Sequence, residues 1–253
     1  LLNKVPEMVR HQREFAELAT GQGESLPKAA SDHSEVNFAN NAVNSVPAHE
    51  AIESADVFGG LIGAYDSLKM AVEQAKAGVL YPPKGLDTLL VGPTGVGKTL
   101  FAEYMYRFAY SQGKISASGQ FVVFNCADYA NNPQLLMSQL FGHVKGAFTG
   151  ADKDKVGLVE KADGGMLFLD EVHRLPPEGQ EMLFYLLDRG DFRRMGDSDK
   201  IRHVTVRIVA ATTENPDSAL LKTFLRRIPV VVQLPELAAR PLQERFELIK
   251  FLL

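Results

Sequence analysis

A glycine-rich segment, GPTGVGKT at residues 92–99, has the residue types and spacing of a phosphate-binding loop. It fits the pattern G-x-x-x-x-G-K-[ST], with a short apolar run before it and an amphipathic stretch after it. Glycines let such a loop curl so that backbone N–H groups point inward at phosphate oxygens, while Lys98 supplies a positive charge and Thr99 a hydroxyl for Mg²⁺. The alternative is a glycine-rich turn without a ligand, but the flanking strand and helix favour phosphate binding. The predicted loop residues are Gly92, Pro93, Thr94, Gly95, Val96, Gly97, Lys98, Thr99 and Leu100.

Two acids, Asp170 and Glu171, directly follow the apolar run at 166–169. Sites in parallel sheets lie outside the carboxyl ends of the strands, so these acids are expected to meet the glycine-rich loop. Asp170 then suits a metal shell, and Glu171 can orient and deprotonate a water that attacks a γ-phosphate. Without the upstream loop, the same pair would indicate a surface turn or a helix start. The second acid favours hydrolysis over transfer to a bound acceptor.

The hexapeptide GAFTGA at 146–151 places an aromatic residue, Phe148, between pairs of small residues. Small residues let the backbone bend sharply, so Phe148 could stand at the tip of a mobile hairpin. An exposed aromatic tip is costly unless a partner binds it. Composition leaves open the alternative that Phe148 is tucked into the body of the protein. The candidate partner-binding residues are Gly146, Ala147, Phe148, Thr149, Gly150 and Ala151.

The elements that must position these residues alternate between continuous apolar strands and amphipathic helices. This pattern predicts an α/β fold in which both faces of a parallel sheet are covered by helices. The predicted helices of the body are 65–77, the stretch after the glycine-rich loop, 133–141 and 178–188. The five predicted strands are 88–91, 121–124, 166–169, 206–210 and 230–234.

Composition places the chain among ordinary globular proteins. The 253 residues are 45% hydrophobic and 23% charged, and the net charge of −4 argues against a free-standing nucleic-acid binder. The single cysteine, Cys126, excludes an intrachain disulfide and a multi-cysteine zinc site, and His143 and His173 lack metal-ligand spacing. No apolar run is long enough to span a membrane. Leu1 and the apolar end of the chain suggest a segment of a longer protein.

Three divisions of the chain are predicted. Residues 1–55 contain a helix over 4–19 and a flexible linker rich in Gly, Ser, Asn, Ala and Pro. Residues 56–238 form the α/β domain, and 239–253 begin a helical lid that is truncated.

The hexapeptide at 146–151 resembles the GAFTGA signature of the AAA+ activators of sigma-54 RNA polymerase. Other matches follow in family order over about residues 56–250. The particular residues in these motifs are similar to those of the LevR/ManR-type regulators, which carry phosphotransferase-system regulation domains outside the ATPase. These matches are Leu61-Ile-Gly63, Asn125-Cys126, Leu140-Phe-Gly-His143, Gly164 to Glu171, Asp191 to Gly196, Val209 to Thr213 and Leu225 to Pro229.

The resemblance implies a P-loop NTPase (AAA+) three-layer sandwich, with a central five-stranded parallel sheet, that assembles into a hexameric ring. ATP and Mg²⁺ would bind between subunits, with Leu61 and Ile62 packing on adenine. Asn125 would hold Glu171 inactive until the γ-phosphate is sensed. Thr212 and Thr213 occupy the first sensor position, where the family usually has Thr-Asn. Arg226 and Arg227 precede the last strand, where arginines reach into the neighbouring subunit's site.

The resemblance therefore implies a cytoplasmic ATPase that activates transcription by remodelling sigma-54 RNA polymerase through the GAFTGA loop. The operon would be a sugar phosphotransferase-system operon, and DNA would be bound by a domain outside this segment. With most of the lid absent, this segment alone is expected to bind ATP and assemble weakly. The alternatives are a generic AAA+ protein remodeller and a nucleotide-dependent binding switch.

Overall fold

The protein is represented by a computed structural model, which describes residues 45–46 and 56–252. The predicted helix over 4–19 and most of the predicted linker lie outside these residues. Residues 42–245 belong to one compact unit, and 246–253 belong to a second. Within the described residues, no helix is long and apolar enough to cross a membrane.

A single sheet organises the larger unit, with the spatial order β1-β3-β6-β9-β2-β10. The five strands from β3 to β10 in this order are parallel, which confirms the predicted central parallel sheet. Two antiparallel pairs, β4–β5 and β7–β8, lie outside it. The strands are β1 Ser45–Val46, β2 Thr88–Val91, β3 Phe121–Asn125, β4 Gly142–His143, β5 Lys155–Val156, β6 Met166–Asp170, β7 Asp191–Phe192, β8 Arg202–His203, β9 Arg207–Thr212 and β10 Val230–Gln233.

The helices begin and end at residues that suit helix termini. Asn132 caps α3 by accepting the N–H of Leu135, and Gly190 ends α5 in the left-handed conformation. The helices are α1 Lys69–Leu80, α2 Lys98–Ser111, α3 Pro133–Phe141, α4 Leu158–Lys161, α5 Pro177–Arg189, α6 Pro216–Ala219, α7 Lys222–Leu225 and α8 Leu242–Leu252. Single 3-10 turns lie at Val57–Gly60, Cys126–Tyr129, Val172–Arg174 and Leu237–Ala239.

Helices cover both faces of the sheet, as expected from strands that are apolar at every position. One core cluster contains Leu167 and Leu169 of β6 and packs against α3 and α5. The other contains the alternate residues Met166 and Phe168 and packs against α1 and α2. Because successive residues of a strand point to opposite faces, this division makes a three-layer sandwich.

The first helix and β1 differ from the sequence predictions. The first helix was predicted over 65–77 but runs over Lys69–Leu80; the residues before it form turns, and the N–H of Ser67 bonds to the carboxylate of Glu244. Residues 45–46 fall in the predicted linker, yet they form β1, which pairs antiparallel with β3. A two-residue strand has no hydrophobic period that a sequence pattern could reveal.

Candidate active site

The segment between β2 and α2 forms the predicted phosphate loop. Gly95 and Gly97 have φ of 82° and 93°, and a Cβ at either position would meet no atom within 4 Å. Backbone conformation, not lack of space, therefore requires glycine at both. Lys98 is 6% exposed, and its Nζ donates to the carbonyl oxygens of Gly92 (2.9 Å) and Pro93 (3.1 Å). The loop thus holds a buried ammonium beside the start of α2, whose free N–H groups favour an anion.

An oxygen pair lies next to the loop, where β6 ends. Thr99 Oγ1 is 3.5 Å from Asp170 Oδ2. Burial raises the pKa of Asp170, while the bound N–H of Glu171 opposes the rise. The described ranges contain no group of three or more His, Cys, Asp or Glu that could hold a metal. Mg²⁺ is commonly held by one or two protein oxygens together with phosphates and waters, so this pair fits Mg²⁺ bound with a nucleotide.

Glu171 is the only non-glycine residue with positive φ in the described chain, at 49°. Its Oε2 accepts a hydrogen bond from Thr213 Oγ1 (2.9 Å) and lies 3.3 Å from Nδ1 of His173. The same His173 nitrogen is 3.0 Å from Thr212 Oγ1 at the end of β9. The structure therefore brings Glu171 together with both residues of the predicted sensor position and with His173, for which the sequence analysis found no role.

Asn125 does not hold Glu171 in this structure, contrary to the contact implied by the family resemblance. Its Nδ2 donates to Asp128 Oδ1 (3.1 Å), and its Oδ1 accepts the N–H of Ala127 (3.0 Å). The side chain is therefore occupied by capping the turn that follows β3. Asn125 still ends its strand opposite Asp170 in the parallel register, so it lies at the edge of the site.

Residues 146–151 form a closed turn that rests on the β7–β8 hairpin. The N–H of Gly146 bonds to the carbonyl of Ala151 (2.8 Å), and the N–H of Ala151 bonds to the carbonyl of Phe148 (3.0 Å). Phe148 is half-buried, with its ring edge-on to His143 at 5.0 Å, whereas Thr149 is exposed. Neither alternative from the sequence holds fully, because Phe148 packs on the body while its neighbours reach solvent.

Backbone hydrogen bonds join the segment just before this turn to the hairpin. The N–H of Val144 donates to the carbonyl of Met195 (3.1 Å), and the N–H of Met195 donates to the carbonyl of Gly142 (3.0 Å). A Cβ on Gly196 would lie 2.6 Å from Cβ of Ala147. The hairpin and the turn are thus in close contact.

The two arginines before β10 have different environments. Arg227 Nε is 3.0 Å from both carboxylate oxygens of Asp188, Nη1 donates to the carbonyl of Thr223, and the guanidinium lies 4.5 Å from the ring centre of Phe184. Arg226 is exposed, and no hydrogen bond or ion pair of its side chain is found in the described part of the chain. Arg227 is therefore engaged within its own subunit, while Arg226 is available to another molecule.

The predicted adenine-packing residues lie at the edge of the core. Leu61 is 9% exposed and belongs to the cluster on the α1–α2 face, while Ile62 is half-buried. Beside the phosphate loop lies a cleft of about 910 Å³, and its lining includes the predicted site residues Gly92, Pro93 and Thr213. The rest of the lining was not identified from the sequence and comes mainly from residues within 214–217 and 231–236, with Ser67, Val91 and Leu225.

The segment from Arg240 into the first turn of α8, where the lid was predicted to begin, contacts the phosphate loop and the segment before α1. Arg240 Nη2 donates to the carbonyl of Val96 (2.9 Å). Glu244 accepts from the N–H of Ser67 (3.1 Å) and from its hydroxyl (2.5 Å). Both Arg240 and Glu244 are buried. Cys126 is buried as well, and burial raises the pKa of its thiol, as is usual for a cysteine that packs in the core.

Comparison with known proteins adds a family and several relatives. A family model described as the Sigma-54 interaction domain matches residues 61–231. The transcriptional regulatory protein LevR of Bacillus subtilis is 61% identical over 193 residues, which cover 76% of this chain and 21% of LevR. The transcriptional regulatory protein DagR of Salmonella typhimurium is 55% identical over 204 residues, covering 81% and 22%. The chain thus spans about a fifth of the length of these relatives.

Solved structures share the fold. The crystal structure of NtrX from Brucella abortus in complex with ATP superposes with a TM-score of 0.58 at 30% identity, covering 71% of this chain and 38% of NtrX. This likeness agrees with the P-loop α/β architecture of the larger unit.

Proposed function

This chain belongs to the sigma-54 interaction domain family, and on that premise we propose that it binds ATP and Mg²⁺, hydrolyses ATP to ADP and phosphate, and uses the reaction to remodel sigma-54 RNA polymerase. The observation that carries the proposal is the meeting of three groups at one end of the sheet. These groups are the buried ammonium of Lys98, the oxygen pair Thr99–Asp170 and the carboxylate of Glu171.

Nucleotide binding is supported by the ATP complex of the related NtrX and by the state of Lys98. Within the described residues the buried Lys98 ammonium bonds to two carbonyl oxygens, and it can exchange them for the more strongly charged oxygens of the β- and γ-phosphates. Thr99 and Asp170 would hold Mg²⁺, which when bound neutralises charge on those phosphates. Leu61 and Ile62 would contact the adenine.

Glu171 is the proposed general base. In the reaction the oxygen of a water forms a bond to the γ-phosphorus, the bond to the oxygen bridging the β- and γ-phosphates breaks, and the water proton passes to the Glu171 carboxylate. Such proton transfer contributes about 10²–10⁴ in rate. Oε2 is already engaged by Thr213, whereas no hydrogen bond to Oε1 is found in the described residues. Oε1 is therefore the oxygen assigned to the water.

A second copy of the chain would complete the site in a hexameric ring. Arg226 is the better candidate for the arginine that acts in trans, because Arg227 is bound to Asp188 of its own subunit. An arginine supplied in trans contributes about 10³–10⁵ in rate in comparable nucleotidases. We expect Arg226→Ala to abolish most turnover without loss of folding stability, and Arg227→Ala to lower stability.

The turn at 146–151 is the proposed contact with sigma-54 RNA polymerase. We further propose that the intact protein is cytoplasmic, binds DNA through a domain outside this chain and regulates a sugar phosphotransferase-system operon. Similarity to the regulators LevR and DagR supports a role in transcription regulation.

Phosphate release by the purified protein tests the hydrolysis step. Glu171→Gln removes the base and keeps the size of the side chain, so turnover should fall at least about 100-fold while ATP still binds. Glu178→Gln, at an exposed position on α5, makes the same change of carboxylate to amide and should leave turnover unchanged. Unchanged turnover in Glu171→Gln would refute the assignment of the base.

Open-complex formation on a sigma-54 promoter tests the partner. The exposed Thr149 can be replaced by alanine without removing core packing. We expect Thr149→Ala to hydrolyse ATP at the rate of the parent and to fail in open-complex formation. If Thr149→Ala and Phe148→Ala both still drive open complexes, the turn is not the polymerase contact and a remodeller of another protein client becomes the better reading.

A further inference from the structure

His173 lies between the predicted catalytic base and the end of β9. Its side chain is 8% exposed, so it is buried beside the more open Glu171. Nδ1 is 3.0 Å from Thr212 Oγ1 and 3.3 Å from Glu171 Oε2. One ring nitrogen therefore faces two oxygens that belong to different elements, the turn after β6 and the end of β9.

The hydrogen bonds of Thr212 determine which group donates. Its Oγ1 accepts the N–H of Glu214 (3.1 Å) and lies 3.5 Å from the carbonyl oxygen of the same residue. With the hydrogen of His173 on Nδ1, the ring donates to Thr212 Oγ1, and the Thr212 hydroxyl donates to the Glu214 carbonyl. This tautomer gives both of these oxygens a donor and leaves the same Nδ1–H 3.3 Å from Glu171 Oε2, where the positive end of its dipole attracts the carboxylate.

Nε2 of His173 is buried and has no hydrogen-bond partner in the described chain. A buried polar atom without a partner is costly, so packing alone would be better served by an apolar ring at this position. The only polar contacts of the His173 ring found in the described residues are therefore made by Nδ1.

From these contacts we propose that His173 is a positioning residue for ATP hydrolysis. Together with Thr213 it fixes Oε2 of Glu171, and Oε1 is left as the oxygen that takes the water proton. The left-handed backbone of Glu171 places the carboxylate against the Thr213 hydroxyl and the His173 ring. Because the Nδ1 of His173 is hydrogen-bonded to Thr212, the position of Glu171 is tied to the end of β9. The carbonyl oxygen of Thr212 also accepts the N–H of Gly92 in the phosphate loop (3.2 Å). The proposal rests on the proposed ATPase function.

A matched pair of substitutions separates the effect of losing the Nδ1–H donor from the effect of losing the ring. His173→Phe keeps a flat ring of similar size and breaks no hydrogen bond at Nε2, but it removes the N–H at Nδ1. His173→Asn shortens the side chain but retains an amide N–H near the position of Nδ1. Both variants, the parent and Glu171→Gln are compared by steady-state ATP hydrolysis, with folding checked by urea unfolding.

We expect His173→Phe to lower kcat about 10- to 100-fold, because a catalytic group displaced by about 1 Å costs up to this much. The KM for ATP should change by less than about threefold, since the phosphate loop is intact. His173→Asn should recover most of kcat. Parent-like kcat in His173→Phe would overturn the proposal, as would equal losses of kcat in both variants.

Glu171→Gln keeps the two proposals apart. If Glu171→Gln retains turnover, the general-base assignment fails, whatever the histidine variants do. If Glu171→Gln is inactive and His173→Phe is as fast as the parent, only the positioning role of His173 fails.

Discussion

Asp87 stands immediately before β2, the strand that leads into the phosphate loop, and it is half-buried. Its Oδ1 accepts the N–H of Ile208 (2.8 Å). Burial raises the pKa of Asp87 from 3.8 to about 6, although the bond from Ile208 and the positive charges of Lys84 and Arg207 oppose the rise. The folded protein therefore favours the protonated form of Asp87 more strongly than the unfolded chain does.

The difference between a pKa of about 6 in the folded protein and 3.8 in the unfolded chain corresponds to about 3 kcal/mol in the free energy of unfolding. The folded pKa is the higher one, so the folded state binds more protons between these values. The stability gained from the protonated Asp87 in the folded protein is fully present below pH 3.8 and is lost as the pH rises through about 6. At neutral pH the ionised Asp87 thus opposes folding by up to about 3 kcal/mol.

Asp87→Asn removes the charge and keeps an oxygen for the Ile208 N–H. We expect this variant to be more stable than the parent above pH 6 by up to about 3 kcal/mol, with the difference shrinking on acidification. Urea unfolding followed by far-ultraviolet circular dichroism measures the difference, since the chain contains no tryptophan. The exposed Asp66→Asn is the control, with no change in the pH dependence expected. If Asp87→Asn is less stable than the parent at neutral pH, ionised Asp87 is a favourable partner of Arg207 and the reasoning is wrong.

Three further substitutions test packing around the site by the shift of the urea midpoint. Gly196→Ala should cost at least about 1 kcal/mol, because φ is 76° and the new Cβ would lie 2.6 Å from Cβ of Ala147; an unchanged midpoint would mean that the turn moves away freely. Glu160→Ala should cost about 2 kcal/mol, because it removes both bonds to the Arg194 guanidinium (2.6 and 2.8 Å), which is 10% exposed. Leu136→Ala should cost about 3 kcal/mol, since the side chain is fully buried in the α3–α5 cluster; a cost below about 1 kcal/mol would contradict tight packing there.

The strands of the parallel sheet were predicted to within two residues at each end, as the range 88–91 for β2 illustrates. Buried parallel strands are continuous apolar runs, and their length leaves little ambiguity. The β7–β8 hairpin was missed because each strand has only two residues. Such short pairs depend on contacts with other elements, here with Gly142 and Val144 at the end of β4.

The site was predictable where a residue belongs to a short sequence motif at the end of a strand. The loop at 92–99 and the acids at 170–171 are placed by the ends of β2 and β6, so the strand pattern was sufficient. The partners of Glu171 were not predictable, because the left-handed conformation of that residue brings its side chain to His173 and Thr213. Asn125 was likewise assigned by family resemblance to Glu171, while Asp128, three residues later, competes for its amide.

The two backbone hydrogen bonds from Gly142 and Val144 to Met195, just before the turn, set an energy scale for separating β4 from the hairpin. Each such bond contributes about 1 kcal/mol, so both together hold the docked arrangement by about 2 kcal/mol. That figure corresponds to roughly 3% of molecules with both bonds broken at any moment. Because the bonds involve only main-chain atoms, side-chain exchanges along 193–195 should leave this population nearly unchanged. The resting domain would therefore keep β4 and the hairpin together in all but a few per cent of molecules, and the turn that follows β4 is held beside the hairpin with them.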